Sequence, residues 1–301
     1  TPCANSYLRC CNSVCPQRTQ SKVGSVMSTQ QNTAVVATSI AMPTTMRSAR
    51  GLAQRGIRNI RRLPSAFFPA MAMPVFTMIA FAGTFAAITR LPGFPTDRSV
   101  NWFMPLGICF GAAFSGIGLG FSTIRDIETR FYDRLLMSPA PRRSLIIGPL
   151  LTAWVRVAIL CAFVIPMGML LGVRFTSGLL GLLTLVVAAV GVSTISLGWG
   201  LGLAFRFRDM RGAAVMQLTM FVVLYLSTAQ MPLPLMSGWL HDVARINPAT
   251  NILRLARQGL VLQDSPDYMS WSNTWGGLLA IAGMATLTLV FARRGLDKLD
   301  R

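Results

Sequence analysis

Two stretches of this chain, residues 101–124 and 145–173, hold a single charged residue between them, Arg156. Runs of that length either fill the middle of a very large soluble core or cross a bilayer, since about 20 apolar residues span the hydrocarbon as a helix. Composition decides between the two. Of 301 residues, 52% are hydrophobic and 13% charged, whereas a soluble domain carries about 25% charged residues. Mean hydropathy is +0.52. The alternation of about ten residues that marks an outer-membrane barrel is absent. The expected fold is therefore an all-α polytopic membrane protein.

Between the two runs lies a charged island, residues 125–143, with five basic and three acidic side chains. Read as one helix, it aligns Ile124, Ile127, Phe131 and Leu135 in a stripe and clusters Asp126, Arg130, Asp133 and Arg134 opposite. Asp126 and Arg130 are an i,i+4 pair with the acid N-terminal, the favoured orientation. Pro139 and Pro141 stop the helix. A short two-faced helix between spans suits docking to a soluble partner.

Six spans are expected, over about residues 66–88, 101–124, 153–173, 178–205, 212–233 and 274–292. Pro69 and Pro74 interrupt the first, and the helix of the third begins near Arg143. Net charge is +18, but the basic residues stand in clusters between apolar runs, which argues for membrane topology and against nucleic acid. From Arg47 onward, eighteen basic residues fall on the side shared by the N-terminus, the island, the 206–211 loop and the C-terminus. Six fall on the other side: Arg90, Arg98, Arg174, Arg245, Arg254 and Arg257. That bias places both termini in the cytoplasm.

Residues 47–62 hold six arginines interleaved with Leu52, Ile57 and Ile60. This pattern reads as a basic amphipathic helix in an anionic headgroup layer, or equally as a solvated topogenic flank. Residues 235–262 are too patterned for a floppy loop. Trp239, Leu240 and Val243 suggest one short helix and Ile252, Leu255, Ala256 and Gly259 a second, with Asn247-Pro248 between them. A re-entrant or interfacial hairpin on the outer side fits, because irregular backbone at depth needs protein or water around it.

The chemistry is sparse. The two lysines, Lys22 and Lys298, sit in no phosphate-binding loop, so the chain carries no conventional ATPase site. His241 is the sole histidine and Glu128 the sole glutamate, which disfavours a catalytic triad or a histidine metal site and weakens a membrane-embedded lipid-modifying enzyme. His241 reads as an interfacial residue of the hairpin. Closely spaced glycines (Gly107/Gly111, Gly116/Gly118/Gly120, Gly168/Gly172, Gly198/Gly200/Gly202) lie in apolar helices with no preceding strand. They read as close packing between spans rather than a dinucleotide fingerprint. Arg156 is either a pathway-lining charge or, the favoured reading, an arginine snorkelling to the cytoplasmic interface. Residues 1–46 are polar and aperiodic, a disordered tail or upstream translated sequence with Met27, Met42 or Met46 as the start. No cleavable signal peptide is apparent. Cys3, Cys10, Cys11 and Cys15 match no common zinc spacing, and Cys109 and Cys161 read as small apolar residues.

The order of these features is distinctive. A basic helix ends in Arg61-Arg62-Leu63-Pro64, a proline-containing span follows, and the island carries Asp133-Arg134-Leu135-Leu136-Met137-Ser138-Pro139 before Arg142-Arg143. Met231-Pro-Leu-Pro234 then leads to Trp239-Leu240 and Asn247-Pro248. Over about residues 47 to 301 the chain resembles the permease subunits of the type-2 ABC exporter family, particularly its daunorubicin-resistance-like and nodulation-exporter branch.

The resemblance implies two permease copies, identical or not, and two separate ATP-binding subunits that hold ATP and Mg while this chain holds no cofactor. It makes residues 47–301 the transmembrane domain, in a bacterial inner membrane. Arg125, Asp126, Glu128, Arg130, Asp133, Arg134 and Pro139 would belong to the coupling helix, and residues 47–62 to the connecting helix. Arg156, Trp239, Asn247 and Pro248 would line the path or its outer gate. The implied function is ATP-driven efflux of a hydrophobic or amphipathic compound such as an antibiotic, with polysaccharide, lipo-oligosaccharide or lipid export as the alternative. A scaffold role would leave the amphipathic island unexplained.

Overall fold

In the computed structural model the apolar runs are helices. It describes residues 45–62, 64–92, 94–137, 141–264 and 268–298; the side chains of residues 59–71, Asp133 and Leu136 lie outside that description, as do the tail residues 1–44 and Pro139. Ten α-helices are described: α1 (Thr45–Arg62), α2 (Pro64–Thr84), α3 (Ser99–Glu128), α4 (Phe131–Leu136), α5 (Ser144–Leu170), α6 (Gly178–Phe207), α7 (Arg211–Tyr225), α8 (Trp239–Ile246), α9 (Pro248–Arg257) and α10 (Trp271–Asp297). Short 3-10 turns occupy Ala86–Arg90 and Leu233–Leu235. Among the described residues there is no strand.

Among the described residues, four helices, α3, α5, α6 and α10, are long and apolar enough to cross a membrane. At about 1.5 Å per residue, each exceeds the roughly 30 Å of hydrocarbon. The expected fifth span is the main departure. It was to run to Leu233, yet α7 stops at Tyr225 after 15 residues, because Ser227, Thr228 and Ala229 turn inward and are buried.

Helices α3 and α6 form the centre. Every residue of α3 from Asn101 to Ala113 is buried, and α3 packs on α2, α5, α6, α7 and α9, while α10 lies on α6 and α9. The α3–α6 crossing depends on small residues. A Cβ at Gly116 would fall 2.7 Å from the backbone of Leu197 and Ser193, and one at Gly120 would fall 3.0 Å from Gly200 Cα. These clashes are with main chain, which a rotamer change cannot relieve, so the glycines let the helix axes approach.

The N-terminal basic segment is neither loose nor purely interfacial. Ala49 and Ala53 of α1 are buried. Leu52 and Gly56, one turn apart, seat against Gly148 and Thr152 of α5, also one turn apart; a Cβ on either glycine would meet its partner at 2.6 Å. Thus α1 is joined to the bundle along the first half of α5.

At the opposite end of α3, chain crossings tie the loops together. The Asn101 amide donates to Leu260 O (3.2 Å) and accepts from Arg174 N (3.3 Å). Leu262 N donates to Pro95 O at 2.9 Å and Thr176 N to Gly259 O at 2.8 Å. Gly259 lies beyond the end of α9 rather than within it, and touches Gly181 of α6 backbone to backbone.

Candidate functional site

The charged island is not one helix. After Glu128 the chain turns through Thr129 and Arg130, and Arg130 takes φ 55°, a left-handed conformation uncommon for a residue with a Cβ. Thr129 N and Arg130 N close the turn on Arg125 O (3.0 Å) and Ile127 O (2.9 Å). The six residues of α4 then leave at a new angle. The expected stripe survives only in part. Ile127, Phe131 and Leu135 pack on the cluster containing Leu145 and Phe205, whereas Ile124 belongs to a different cluster with Met216. The deepest anchor of α4 is Tyr132, which the stripe omitted. It meets Phe205 edge-on at 5.8 Å between ring centres, and burial raises its phenol above the ordinary value, against a Thr123 hydrogen bond that lowers it, so it stays neutral.

The Asp126–Arg130 pairing is also replaced. Asp126 accepts two hydrogen bonds from Arg55 of α1, at 2.8 and 3.1 Å. The same guanidinium lies 3.9 Å from the centre of the Phe131 ring. Arg55 therefore joins three elements: its own α1, the last turn of α3 and the first residue of α4. Glu128, Arg130 and Arg134 face outward, exposed, and Arg125, exposed too, borders the cavity behind them. The Asp133 side chain and Pro139, named with them as coupling residues, lie outside the described residues.

Behind this corner, residues of α1, α3, α4 and α5 line an open cavity of about 380 Å³ in which Arg55, Arg58, Arg125, Asp126 and Arg156 stand beside polar residues such as Gln54, Ser122 and Thr152 and apolar ones such as Leu52 and Leu119. Arg156 is thereby separated from the residues grouped with it. It lies with the island at the C-terminal end of α3, whereas Trp239, Asn247 and Pro248 lie at the other end. Among the described residues its Nε is buried without a hydrogen-bond partner.

At that other end, Asn247 breaks the chain between α8 and α9. Its Oδ1 caps α9 by accepting from Ala249 N (2.9 Å), and Pro248 takes the first helical position, where a missing N–H costs nothing. Its Nδ2 donates to Val223 O (2.7 Å) and Leu226 O (3.1 Å), satisfying carbonyls at the end of α7. Trp239 is 70% exposed and reaches outward. The residue that holds the hairpin inward is Arg257, which charge counting had assigned to the outer water. It is fully buried, donates to Thr228 O (2.6 Å) and Ala229 O (2.8 Å), and stacks 3.5 Å over Trp102. The signal was present in the sequence: Arg257 falls one turn after Leu253, on the apolar face of α9.

Among the described residues the arrangement holds no constellation that performs covalent chemistry. Among the described residues no group of histidine, cysteine or acidic side chains could hold a metal. What it offers is a bundle with a charged corner at one end and a pinned helical hairpin at the other. A protein-family model described as ABC-2 type transporter matches residues 47–261, from the start of α1 to the end of this hairpin. The chain belongs to the ABC-2 type transporter family.

Relatives agree with that placement. The chain is 27% identical over 206 residues, 66% of its length and 69% of the relative's, to a protein of Pyropia yezoensis named as the transport permease ycf38. A protein of the same name from Porphyra purpurea is 28% identical over 203 residues, 65% of this chain and 68% of that one. The daunorubicin resistance ABC transporter permease protein DrrB1 of Streptomyces coeruleorubidus is 21% identical over 208 residues, 68% of this chain and 71% of that one. As an ABC-2 family membrane component the chain is a transport protein rather than a catalyst.

Proposed function

We propose that this chain is the permease half of an ATP-driven exporter that moves a hydrophobic or amphipathic compound out of a bacterial cell. Two permease copies would assemble with two ATP-binding subunits, which hold ATP and Mg. The transmembrane domain is residues 47–301, with α2, α3, α5, α6, α7 and α10 as six spans and both termini in the cytoplasm, and deletion of residues 1–41 would leave export unaffected. The observation that carries this reading is the corner at the end of α3. The most buried helix of the bundle ends in a turn that presents Glu128, Arg130 and Arg134 outward, and Arg55 ties that turn to α1. A load applied to α4 reaches the core directly through α3. The name of the Streptomyces relative favours a drug-like cargo.

Purifying the tagged chain from its own host's membranes tests the assembly. A P-loop ATPase should co-purify in equal amount, and its hydrolysis should rise when the permease is present. A chain recovered without such a subunit, from membranes that still expel the cargo, would remove the exporter reading.

Topology has its own test in cysteine labelling of a variant without native cysteines. Probes at Ser138 and Asp209 should react only from the cytoplasm, and probes at Asp97 and Asp264 only from outside. Cytoplasmic labelling at Asp97 would overturn the orientation.

A further inference from the structure

The cavity behind the corner carries an unbalanced charge. Among the described residues, four guanidinium groups, from Arg55, Arg58, Arg125 and Arg156, line it with one carboxylate, Asp126. Both oxygens of that carboxylate are taken by Arg55. Among the described residues Arg58, Arg125 and Arg156 make no ion pair, and the buried Arg156 Nε makes no hydrogen bond. Arg156 stands twelve residues into α5, about 18 Å along its axis, where an unpaired cation in a membrane protein calls for a partner. Each guanidinium presents donors in a planar fork that matches phosphate oxygens, and arginine exceeds lysine in such sites for that reason.

The remaining lining separates a free ion from a lipid. Leu52, Leu119, Leu145 and Pro149 form apolar wall beside the arginines. A hydrated inorganic anion would leave that wall against water, while the first methylenes of a phospholipid's acyl chains would cover it. The volume of about 380 Å³ falls in the range of about 300–1,000 Å³ usual for small-ligand sites.

We propose that Arg58, Arg125 and Arg156 form a site for the phosphodiester headgroup of an anionic membrane lipid, seated between α1 and α5. Bound there, the lipid neutralises Arg156 and fixes α1 against the bundle. The site needs a bilayer but no particular cargo, so a chain that binds the lipid and transports nothing would keep this inference while losing the exporter reading.

The test uses the purified full-length chain in a neutral detergent, titrated separately with phosphatidylglycerol, phosphatidylcholine and inorganic phosphate. Thermal unfolding and native mass spectrometry supply the readouts. Phosphatidylglycerol should raise the unfolding temperature and remain attached, and the other two should not. Arg156→Met should weaken phosphatidylglycerol binding by about tenfold or more, the loss of one or two charge-assisted hydrogen bonds, and Arg156→Lys should restore part of it. Should Arg156→Met not fold, Arg58→Gln, on an exposed position of α1, should still weaken binding severalfold. Arg294→Gln, outside the cavity, should leave it unchanged. An equal response to phosphatidylcholine, or an equal loss in Arg294→Gln, would overturn the site, and saturation by inorganic phosphate would overturn its assignment to a lipid.

Discussion

Arg257→Met is expected to destabilise the purified protein by roughly 3–5 kcal/mol, the range for stripping one partner from a buried charged contact. The side chain is fully buried and gives hydrogen bonds to Thr228 O and Ala229 O. Methionine fills much of the same volume but leaves both carbonyls without those donors, at about 1–3 kcal/mol each. It also removes the stacking over Trp102, worth up to about 2 kcal/mol for a desolvated pair. These contributions overlap and do not sum. Arg257→Lys should recover less than half, because one ammonium cannot reproduce a fork that spans two carbonyls. Unfolding followed by tryptophan fluorescence gives the magnitude, and hydrogen exchange at the Leu262 and Thr176 amides should rise first as the hairpin detaches from Pro95 and from Thr176. A loss below about 1 kcal/mol would mean that water replaces the guanidinium, and that Arg257 does not pin the hairpin.

The same contact explains why one part of the fold was hidden in the sequence. Apolar residues continue past Tyr225 through Leu226, Met231 and Leu233, so hydropathy extends α7 by two further turns. At the helix end Val223 O and Leu226 O accept from Asn247 Nδ2, and beyond it Thr228 and Ala229 give their carbonyls to Arg257, about thirty residues later, instead of to a following turn. Long spans were legible since their length and lack of charge leave little choice, and close packing at Gly116 and Gly120 followed from small residues in apolar helices. The hairpin was legible too, because Asn247-Pro248 is a local signal that caps and starts a helix by itself. The island was misjudged for the opposite reason. Its period-3.6 pattern and the Asp126–Arg130 spacing are local, but the partner of Asp126 is Arg55, 71 residues earlier, and no local pattern reveals the left-handed Arg130. Charge counting groups Arg257 with arginines expected in water, whereas its side chain is fully buried.

Reversing either member of the Arg55–Asp126 pair is expected to abolish transport while leaving membrane insertion and most stability intact. The stability part follows from exposure. The two side chains are 50% and 26% exposed, and ion pairs of that kind contribute about 1 kcal/mol or less. The transport part follows from position. Arg55 holds the last turn of α3 by two hydrogen bonds and the first residue of α4 by its stacking on Phe131, and no other described residue makes both contacts. Asp126→Arg would set two guanidinium groups against each other at that junction and swing α4 away from α1, so motion imposed on α4 would be taken up in the Thr129–Arg130 turn instead of passing rigidly to α3 and α1. The decisive variant is the exchange, Arg55→Asp with Asp126→Arg, which restores the attraction with its direction inverted. If the pair acts as a mechanical joint, the double variant should recover a substantial fraction of efflux, although aspartate cannot also stack on Phe131. ATP-dependent efflux in membrane vesicles, compared at matched permease levels, reads the outcome. Full activity in both single reversals would show that α4 is coupled to the bundle without Arg55, through Tyr132 and Phe205 alone. Equal loss in the singles and the exchange, with insertion preserved, would instead mean that each charge serves a separate partner.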